Sequence, residues 1–398
     1  MNPRLRALHP YPFEKLRQLM AQAPTPPADL QPINLSIGEP KHPTPPFIVE
    51  AMKNAMAGLS VYPPTKGDAP LRNAIADWIA LRYDIARPDP ETQVLPALGS
   101  REALFAFAQT IIDPSAGSLV VCPNPFYQIY EGAALLAGAQ PYFINAQATR
   151  NFGFDWASVP DEVWRKTRLL FVCSPGNPAG NVMALDEWKT LFALADKYDL
   201  VIASDECYSE IYFDEANKPL GGLQAASLLG RHDYKNLVCF SSLSKRSNVP
   251  GMRSGFVAGD AALIKQFLLY RTYHGSAISP VVSQASIAAW NDETHVIENR
   301  RLYREKFEAL VPLLGPVLNV EWPQASFYLW AETPYADADF ARDLYGQTAV
   351  TVLPGSFLAR EAQGVNPGAN RIRIALVAPK EQCLEAAGRI VRFLETRA

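Results

Sequence analysis

Leu169-Leu-Phe-Val-Cys173, Ser174-Pro-Gly-Asn-Pro-Ala-Gly180, Leu185 to Lys197 and Leu200-Val-Ile-Ala203 follow one another along the chain. They read as a short apolar run, a turn, an amphipathic helical stretch and a second apolar run. Neither run alternates with polar residues, which is the pattern of strands buried on both faces beneath helices. Working outward, Ser118 to Cys122 and Leu237 to Phe240 read as further strands, and Ser254 to Ala258 as a shorter one. Leu71 to Tyr83 reads as a helix, with Leu71, Ile75, Trp78, Ile79 and Tyr83 at helical spacing. Strands alternating with helices predict an α/β, doubly wound fold.

The character changes after about residue 290. Glu293 to Leu310 reads as a long amphipathic helix that ends before Pro312. Strand-like runs follow at Ser326 to Trp330, Val350 to Leu353 and Ile372 to Val377, then a last helix at Glu381 to Thr396. These predict a second, smaller α+β domain, joined by the proline-rich N-terminal segment. Within that segment Ala23 to Leu30 reads as loop, because proline fixes φ and lacks a donor. The expected division is 49–290 for the large domain, with 1–48 and 291–398 forming the small one.

A chain of 398 residues is long enough for such cores without a disulfide or metal staple, and no metal is expected. The formal net charge of −3 argues against a nucleic-acid binder. Five cysteines, an odd number with no C-x-x-C pair, read as reduced thiols, which fits a cytoplasmic protein. Met1-Asn-Pro-Arg-Leu-Arg6 leads into no apolar h-region, and no apolar run is long enough to span a membrane.

In a parallel sheet, ligands bind beyond the C-terminal strand ends. Asn177 follows the run ending at Cys173, Asp205 and Tyr208 follow Ala203, and Ser242, Ser244 and Lys245 follow Phe240. An amide, a carboxylate and an amine thus converge on one sheet edge. Singly, each has an ordinary reading: turn residue, helix N-cap, solvated lysine. Together they fit pyridoxal phosphate, which takes a lysine as Schiff base and an acid at its pyridine nitrogen. Lys245 would supply the amine and later the general base. Asp205 would keep the ring nitrogen protonated, and Asn177 and Tyr208 would bond the ring's phenolic oxygen. Gly99, Ser100 and Arg101 open the apolar helix Ala103 to Ile112, and small residues at a helix N-terminus offer N–H groups to a phosphate. Ser242, Ser244 and Arg253 would add contacts, and Tyr127 would lie on the ring face.

The ordered motifs resemble those of fold-type I, class I and II aminotransferases over essentially the whole chain. Ser242 to Lys245 with Arg253 and Gly255 is similar to the family's Schiff-base motif, Asn177-Pro-Ala-Gly180 to its N-P-T-G, and Asp205-Glu-Cys-Tyr208 to its D-E-x-Y. Ala179 departs from the pattern by replacing threonine. The resemblance implies a large domain with a mostly parallel seven-stranded sheet. Ser36-Ile-Gly-Glu-Pro40 resembles the segment over the substrate carboxylate, which implicates Gly38. Tyr62 to Gly67 resembles the segment whose tyrosine, here Tyr62, reaches the phosphate of the partner subunit, which implies a homodimer. Arg371-Ile-Arg-Ile-Ala375 resembles the strand whose arginine forks the α-carboxylate, and Arg373 fits that position better than Arg371. Gly38, Asn177 and Arg373 are therefore the expected substrate-binding residues.

The stretches Tyr11–Leu16, Leu35–His42, Asn124–Gly132, Ser204–Tyr212 and Leu243–Phe256 resemble, more narrowly, the succinyldiaminopimelate aminotransferases of proteobacteria. That resemblance implies exchange of an amino group between N-succinyl-LL-2,6-diaminopimelate and 2-oxoglutarate. A substrate with several carboxylates asks for further cations, and Lys41, His42, Arg246, Arg271 and His274 flank the motifs. The same constellation serves N-acetylornithine, aspartate and aromatic aminotransferases and β-lyases. A ligand-sensing regulator would need an appended DNA-binding domain, and the proline-rich start shows no helix-turn-helix pattern.

Overall fold

The computed structural model describes residues 1–397. Its strands are β1 (Ile33–Asn34), β2 (Val94–Ala97), β3 (Leu119–Asn124), β4 (Gln140–Gln147), β5 (Gly153–Phe154), β6 (Thr167–Cys173), β7 (Val201–Asp205), β8 (Leu237–Ser242), β9 (Gly255–Gly259), β10 (Tyr328–Glu332), β11 (Val350–Thr351), β12 (Leu353–Pro354) and β13 (Arg371–Ala375). The main sheet has eight strands in the order β2-β9-β8-β7-β6-β3-β4-β5. From β8 through β4 neighbouring strands are parallel, while β9 is antiparallel to both β8 and β2. The eighth strand corrects the expected seven. It is β5, two residues antiparallel to the end of β4, too short to leave a periodic signal.

The unbroken apolar runs have a direct explanation in the packing. Along β6, Leu170 and Val172 pack into one core with Trp188 and Leu191 of the helix Leu185–Tyr198. Leu169 and Phe171 pack into a second core on the other face, with Phe107 and Phe267. Residues Ile202 and Ala203 of β7 divide in the same way, as do Cys239 and Phe240 of β8. Successive strand residues point to opposite faces, so a sheet covered on both sides needs apolar residues at every position. Each buried Leu, Ile, Val or Phe contributes about 1.5–3 kcal/mol of burial.

Six helices bear on the sheet edge and its surroundings: α1 (Ala69–Tyr83), α2 (Ser100–Ile111), α3 (Leu243–Arg246), α4 (Ala261–His274), α5 (Thr294–Leu318) and α6 (Lys380–Glu395). The helix expected to stop before Pro312 instead runs through Pro312 and Pro316. Both prolines lie on the exposed side. Leu310, Leu314 and Leu318 on the opposite side are buried in the C-terminal core. That burial offsets the helix-breaking cost of proline.

β13 is the centre of the three-stranded antiparallel sheet β10-β13-β12. The run read as one strand from Val350 to Leu353 divides: β11 pairs in parallel with β1, and β12 pairs with β13. The N-terminal segment thus joins this sheet system through Ile33 and Asn34. It also holds a helix not read from the sequence, Pro12–Met20, whose Pro12 occupies the first helical position, where a missing N–H costs nothing. Its Leu16 packs on Trp330, Leu353 and Leu358. Ala23 to Leu30 is non-helical, as its prolines require. All five cysteines are free thiols. Among the described residues no helix is long and apolar enough to cross a membrane.

Candidate active site

β6, β7 and β8 end at the same sheet edge, with Cys173 paired to Asp205 and Asp205 to Phe240. Beyond that edge lies a cavity of about 570 Å³. Its lining includes Gly38, Ser100, Arg101, Tyr127, Asn177, Asp205, Tyr208, Ser242, Ser244, Lys245, Arg253 and Arg373. The structure therefore brings together twelve of the fourteen residues picked out in the sequence. Gly99 stands behind the lining at the start of α2. Tyr62 lies outside this cavity, with its side chain in solvent.

Lys245 is carried on the short helix α3, which begins directly at the end of β8. Ser242 caps that helix by accepting from the Ser244 N–H at 3.0 Å. The Lys245 ammonium donates to the Gly38 carbonyl, which ties the N-terminal segment over the cavity. Burial lowers its pKa to about 8, so a neutral amine is accessible near physiological pH.

Asp205 is the last residue of β7 and is 4% exposed. It accepts from the Tyr130 hydroxyl at 2.8 Å and from the Cys207 N–H at 3.3 Å. Burial pushes its carboxyl pKa up, opposed by hydrogen bonds from Cys207 and Tyr130 and by the Lys245 charge. It makes no ion pair among the described residues, so a buried carboxylate faces the cavity with neutral partners only. A protonated ring nitrogen would supply the missing cation, which is the principal fit to pyridoxal phosphate.

The phosphate end of the expected group also has a cradle. Gly99 has φ +78° and ψ 161°, a conformation open essentially to glycine, and caps α2 without a side chain. A Cβ there would lie 2.2 Å from Arg253 Nη2. Ser100 accepts from the Cys207 thiol at 2.9 Å. Ser242 and Ser244 share a hydroxyl–hydroxyl bond of 2.8 Å. Arg253 donates to the Pro250 carbonyl at 2.9 Å and more distantly to Leu98. Arg101 donates to the Tyr127 hydroxyl at 2.6 Å.

On the opposite wall, Arg373 of β13 donates to Asn177 Oδ1 at 2.9 Å and to the Ser36 carbonyl at 2.8 Å. Its guanidinium lies over the Tyr328 ring, 4.3 Å from the centroid, and its buried Nε–H has no partner. Arg371, two residues back along the strand, is held instead by Glu332 at 2.6 Å and sits over Phe152. Tyr208 shares a 2.9 Å bond with the Tyr328 hydroxyl, and burial raises its pKa. A Cβ on Gly38 would lie 1.9 Å from that Tyr328 oxygen, so only glycine fits there without movement.

The five flanking cations do not line this cavity. Arg271 is fully buried and bonds both oxygens of Glu102 at 2.7 Å. Arg246 is 1% exposed and pairs with Glu293, donating also to the Ala289 carbonyl at 2.7 Å. His274 stands 3.7 Å from Glu102. Lys41 pairs with Glu39, and His42 bonds Asn299 and Lys306. Arg246 and Arg271 have structural partners and are not available to a substrate carboxylate. The cationic side chains lining the cavity are Arg101, Lys245, Arg253 and Arg373. None of the four forms an ion pair among the described residues.

Sequence reasoning missed Tyr328 and Tyr130. Tyr328 sits in a run already read as a strand, next to Phe327 and Trp330, and looks like core. Tyr130 follows Tyr127 by one helical turn, and that spacing was its one available signal.

Residues 31–390 match the model of the family described as aminotransferase class I and II. The chain is 33% identical over 396 residues to an LL-diaminopimelate aminotransferase of Aquifex aeolicus, covering 98% of each. Among solved structures, an aminotransferase from Neisseria meningitidis is 55% identical with a TM-score of 0.96, covering 99% of this chain and 100% of that one. A protein described as a probable N-succinyldiaminopimelate aminotransferase from Thermus thermophilus is 26% identical with a TM-score of 0.83, covering 96% and 100%.

Proposed function

Since the chain belongs to the class I and II aminotransferases, which use pyridoxal 5′-phosphate and act on amino and 2-oxo acids, we propose that its amino donor is N-succinyl-LL-2,6-diaminopimelate. The acceptor is 2-oxoglutarate, and the products are N-succinyl-2-amino-6-oxopimelate and glutamate. The observation that carries this reading is the acids of the cavity: Asp205 and Glu39 are the lining carboxylates, and neither is free to meet a distal ammonium, since Asp205 would face the ring nitrogen and Glu39 is paired with Lys41. The lining cations Arg101, Lys245, Arg253 and Arg373 suit the cofactor phosphate and the substrate α-carboxylate. The relatives named for LL-diaminopimelate give a second reading. That substrate ends in a free ammonium and asks for an acid in the distal cavity. Glu39, the lining acid besides Asp205, is already paired with Lys41. The succinyl group replaces the ammonium with an amide, which needs no such acid.

Bound here, pyridoxal phosphate supplies the carbonyl that exchanges with the amine and a ring that withdraws charge from the substrate α-carbon. Asp205 would hold a proton on the ring nitrogen. Asn177 and Tyr208 would bond the ring's phenolic oxygen, and Tyr127 would lie on the ring face. Gly99, Ser100, Arg101, Ser242, Ser244 and Arg253 would hold the phosphate. Arg373 forks the α-carboxylate, with Gly38 and Asn177 beside it, and fixes which face the α-proton presents. Lys245, as a neutral amine, would take that proton and return it to the cofactor carbon two atoms away. We also read the chain as divided into 49–290 and 1–48 with 291–398, and as a cytoplasmic homodimer in which Tyr62 reaches the partner's phosphate. The exposed Met56, Leu59, Val61 and Tyr62 support a second copy at that surface.

The test is a titration of the cofactor's absorption with N-succinyl-LL-2,6-diaminopimelate, LL-2,6-diaminopimelate, N-acetylornithine and aspartate. Conversion at the lowest concentration by the succinylated donor is expected. Better conversion by another donor refutes the substrate reading and leaves the family intact. A normal cofactor band in Lys245→Ala refutes the role of Lys245.

A further inference from the structure

Lys306 projects from α5 into the protein, is 2% exposed, and has no carboxylate partner among the described residues. A buried ammonium without a counter-ion is costly unless its hydrogens are all used. Here there is an acceptor for each: His42 Nε2 at 2.8 Å and the carbonyls of Leu376 and Val377 at 3.1 and 3.4 Å. An ammonium only donates, so His42 Nε2 accepts and the His42 proton sits on Nδ1. That N–H donates to Asn299 Oδ1 at 2.8 Å. Asn248 donates to the same oxygen at 3.1 Å, which fixes the orientation of the Asn299 amide. The Asn299 NH₂ therefore points the other way, to the backbone carbonyls of Lys245 at 3.2 Å and Arg246 at 3.3 Å.

We propose that Lys306 and His42 are positioning residues for Lys245: with Asn299 they form a one-way chain of donors that ends on the Lys245 carbonyl. α3 is only four residues long, and the carbonyls at its C-terminal end lack helical partners; Asn299 satisfies those of Lys245 and Arg246. The chain also closes a loop. His42 lies four residues after Gly38, whose carbonyl accepts from the Lys245 side chain. Lys306 is anchored at the end of the strand that bears Arg373. The amine that moves the proton and the arginine that holds the substrate are thereby set at a fixed spacing from the same buried group.

The surroundings keep His42 neutral. Burial and the Lys306 charge push the His42 pKa down to about 4, so the ring stays neutral. Burial lowers Lys306 to about 8, opposed by Cys383 and Glu381 of α6. The Tyr303 ring lies against both, 4.9 Å from the Lys306 amine and 4.4 Å from the His42 ring.

This inference rests on Lys245 being the residue that holds the cofactor. Its test is the holoenzyme of Lys306→Met, which keeps the length of the side chain and removes the donors. The expected result is a fall of roughly tenfold or more in the single-turnover rate with the amino donor. The donor's affinity is expected to change less than about twofold, because the carboxylate contact is untouched. The pH midpoint of the absorption band of the Lys245-bound cofactor is also expected to move, since that band reports the environment of the Lys245 nitrogen. A folded, loaded variant with wild-type rate and midpoint overturns the proposal. So does a slower variant whose midpoint is unmoved, which is the mark of a purely structural role. Should Lys306→Met not fold, Asn299→Ser breaks the chain at the α3 carbonyls, His42 and Asn248 while leaving Lys306 in place, and is judged by the same two readouts. Lys245→Ala separates the two failures. If it keeps the band, the underlying role of Lys245 is wrong; if it loses the band while Lys306→Met behaves as wild type, only the positioning chain is wrong.

Discussion

Replacing Arg373 by lysine keeps the charge and removes the planar fork. In the structure the guanidinium is held by Asn177 and Ser36 and carries a buried, unpartnered Nε–H beside the cavity. A lysine would reach the same region with one compact donor group and would leave the Asn177 and Ser36 oxygens poorly satisfied. The loss is about one charge-assisted hydrogen bond to the α-carboxylate, or about 2–3 kcal/mol. That corresponds to a fall of roughly 30- to 150-fold in kcat/KM. Because the contact is made before and during proton transfer, most of the fall belongs in KM. The assay is steady-state transamination at measured cofactor loading, with an amine lacking the α-carboxylate as a control donor. The amine should react equally with both proteins. Arg371→Lys should change kcat/KM less than about twofold, since Glu332 holds that arginine away from the cavity. The reasoning is refuted by Arg373→Lys retaining activity within about threefold of wild type, or by Arg371→Lys losing more.

Gly99→Ala should weaken cofactor binding by roughly tenfold or more, because the new Cβ meets the Arg253 guanidinium and a non-glycine residue is strained at that φ; cofactor titration by fluorescence quenching checks it. Arg271→Met leaves the partly buried Glu102 without its cation and should cost about 1–3 kcal/mol in denaturant unfolding. The folded fraction should keep the wild-type KM, which separates Arg271 from a substrate-binding role. Lys306 makes stability depend on pH. Its folded-state pKa of about 8 lies below the ordinary 10.5, so the unfolded chain binds the proton more tightly. The penalty is therefore full below pH 8 and is lifted as pH rises to about 10.5, a gain of about 3 kcal/mol from this group. Unfolding of wild type and Lys306→Met across that window should show a rise larger in the wild type by about that amount, since Lys245 contributes the same dependence to both.

The sequence by itself determined the sheet and its edge. The unbroken apolar runs Leu169 to Cys173 in β6, Val201 to Ala203 in β7 and Leu237 to Phe240 in β8 leave no solvated face, so helices had to cover both sides, and the polar residues at the strand ends had to emerge together. Lys245, Asp205 and Asn177 were legible for that reason: each is tied by local chain direction to the end of a strand. The ordered motifs read in the sequence named the family that the comparisons then showed. The tertiary structure alone decided between neighbours whose local patterns are equivalent. Arg371 and Arg373 share one face of one strand, and only the placement of Glu332 and Asn177 assigns them different partners. Arg246 and Arg271 read as cations near the motifs, yet Glu293 and Glu102, remote in sequence, bury them as structural pairs. Tyr328 and Lys306 look like a core aromatic and an ordinary helix lysine. Their roles depend on atoms brought from segments tens to hundreds of residues away. Periodicity reports which face of an element is buried, because burial follows from local spacing. It carries no information about which polar group from a distant segment completes a hydrogen bond, because chain closure, not spacing, sets that partner.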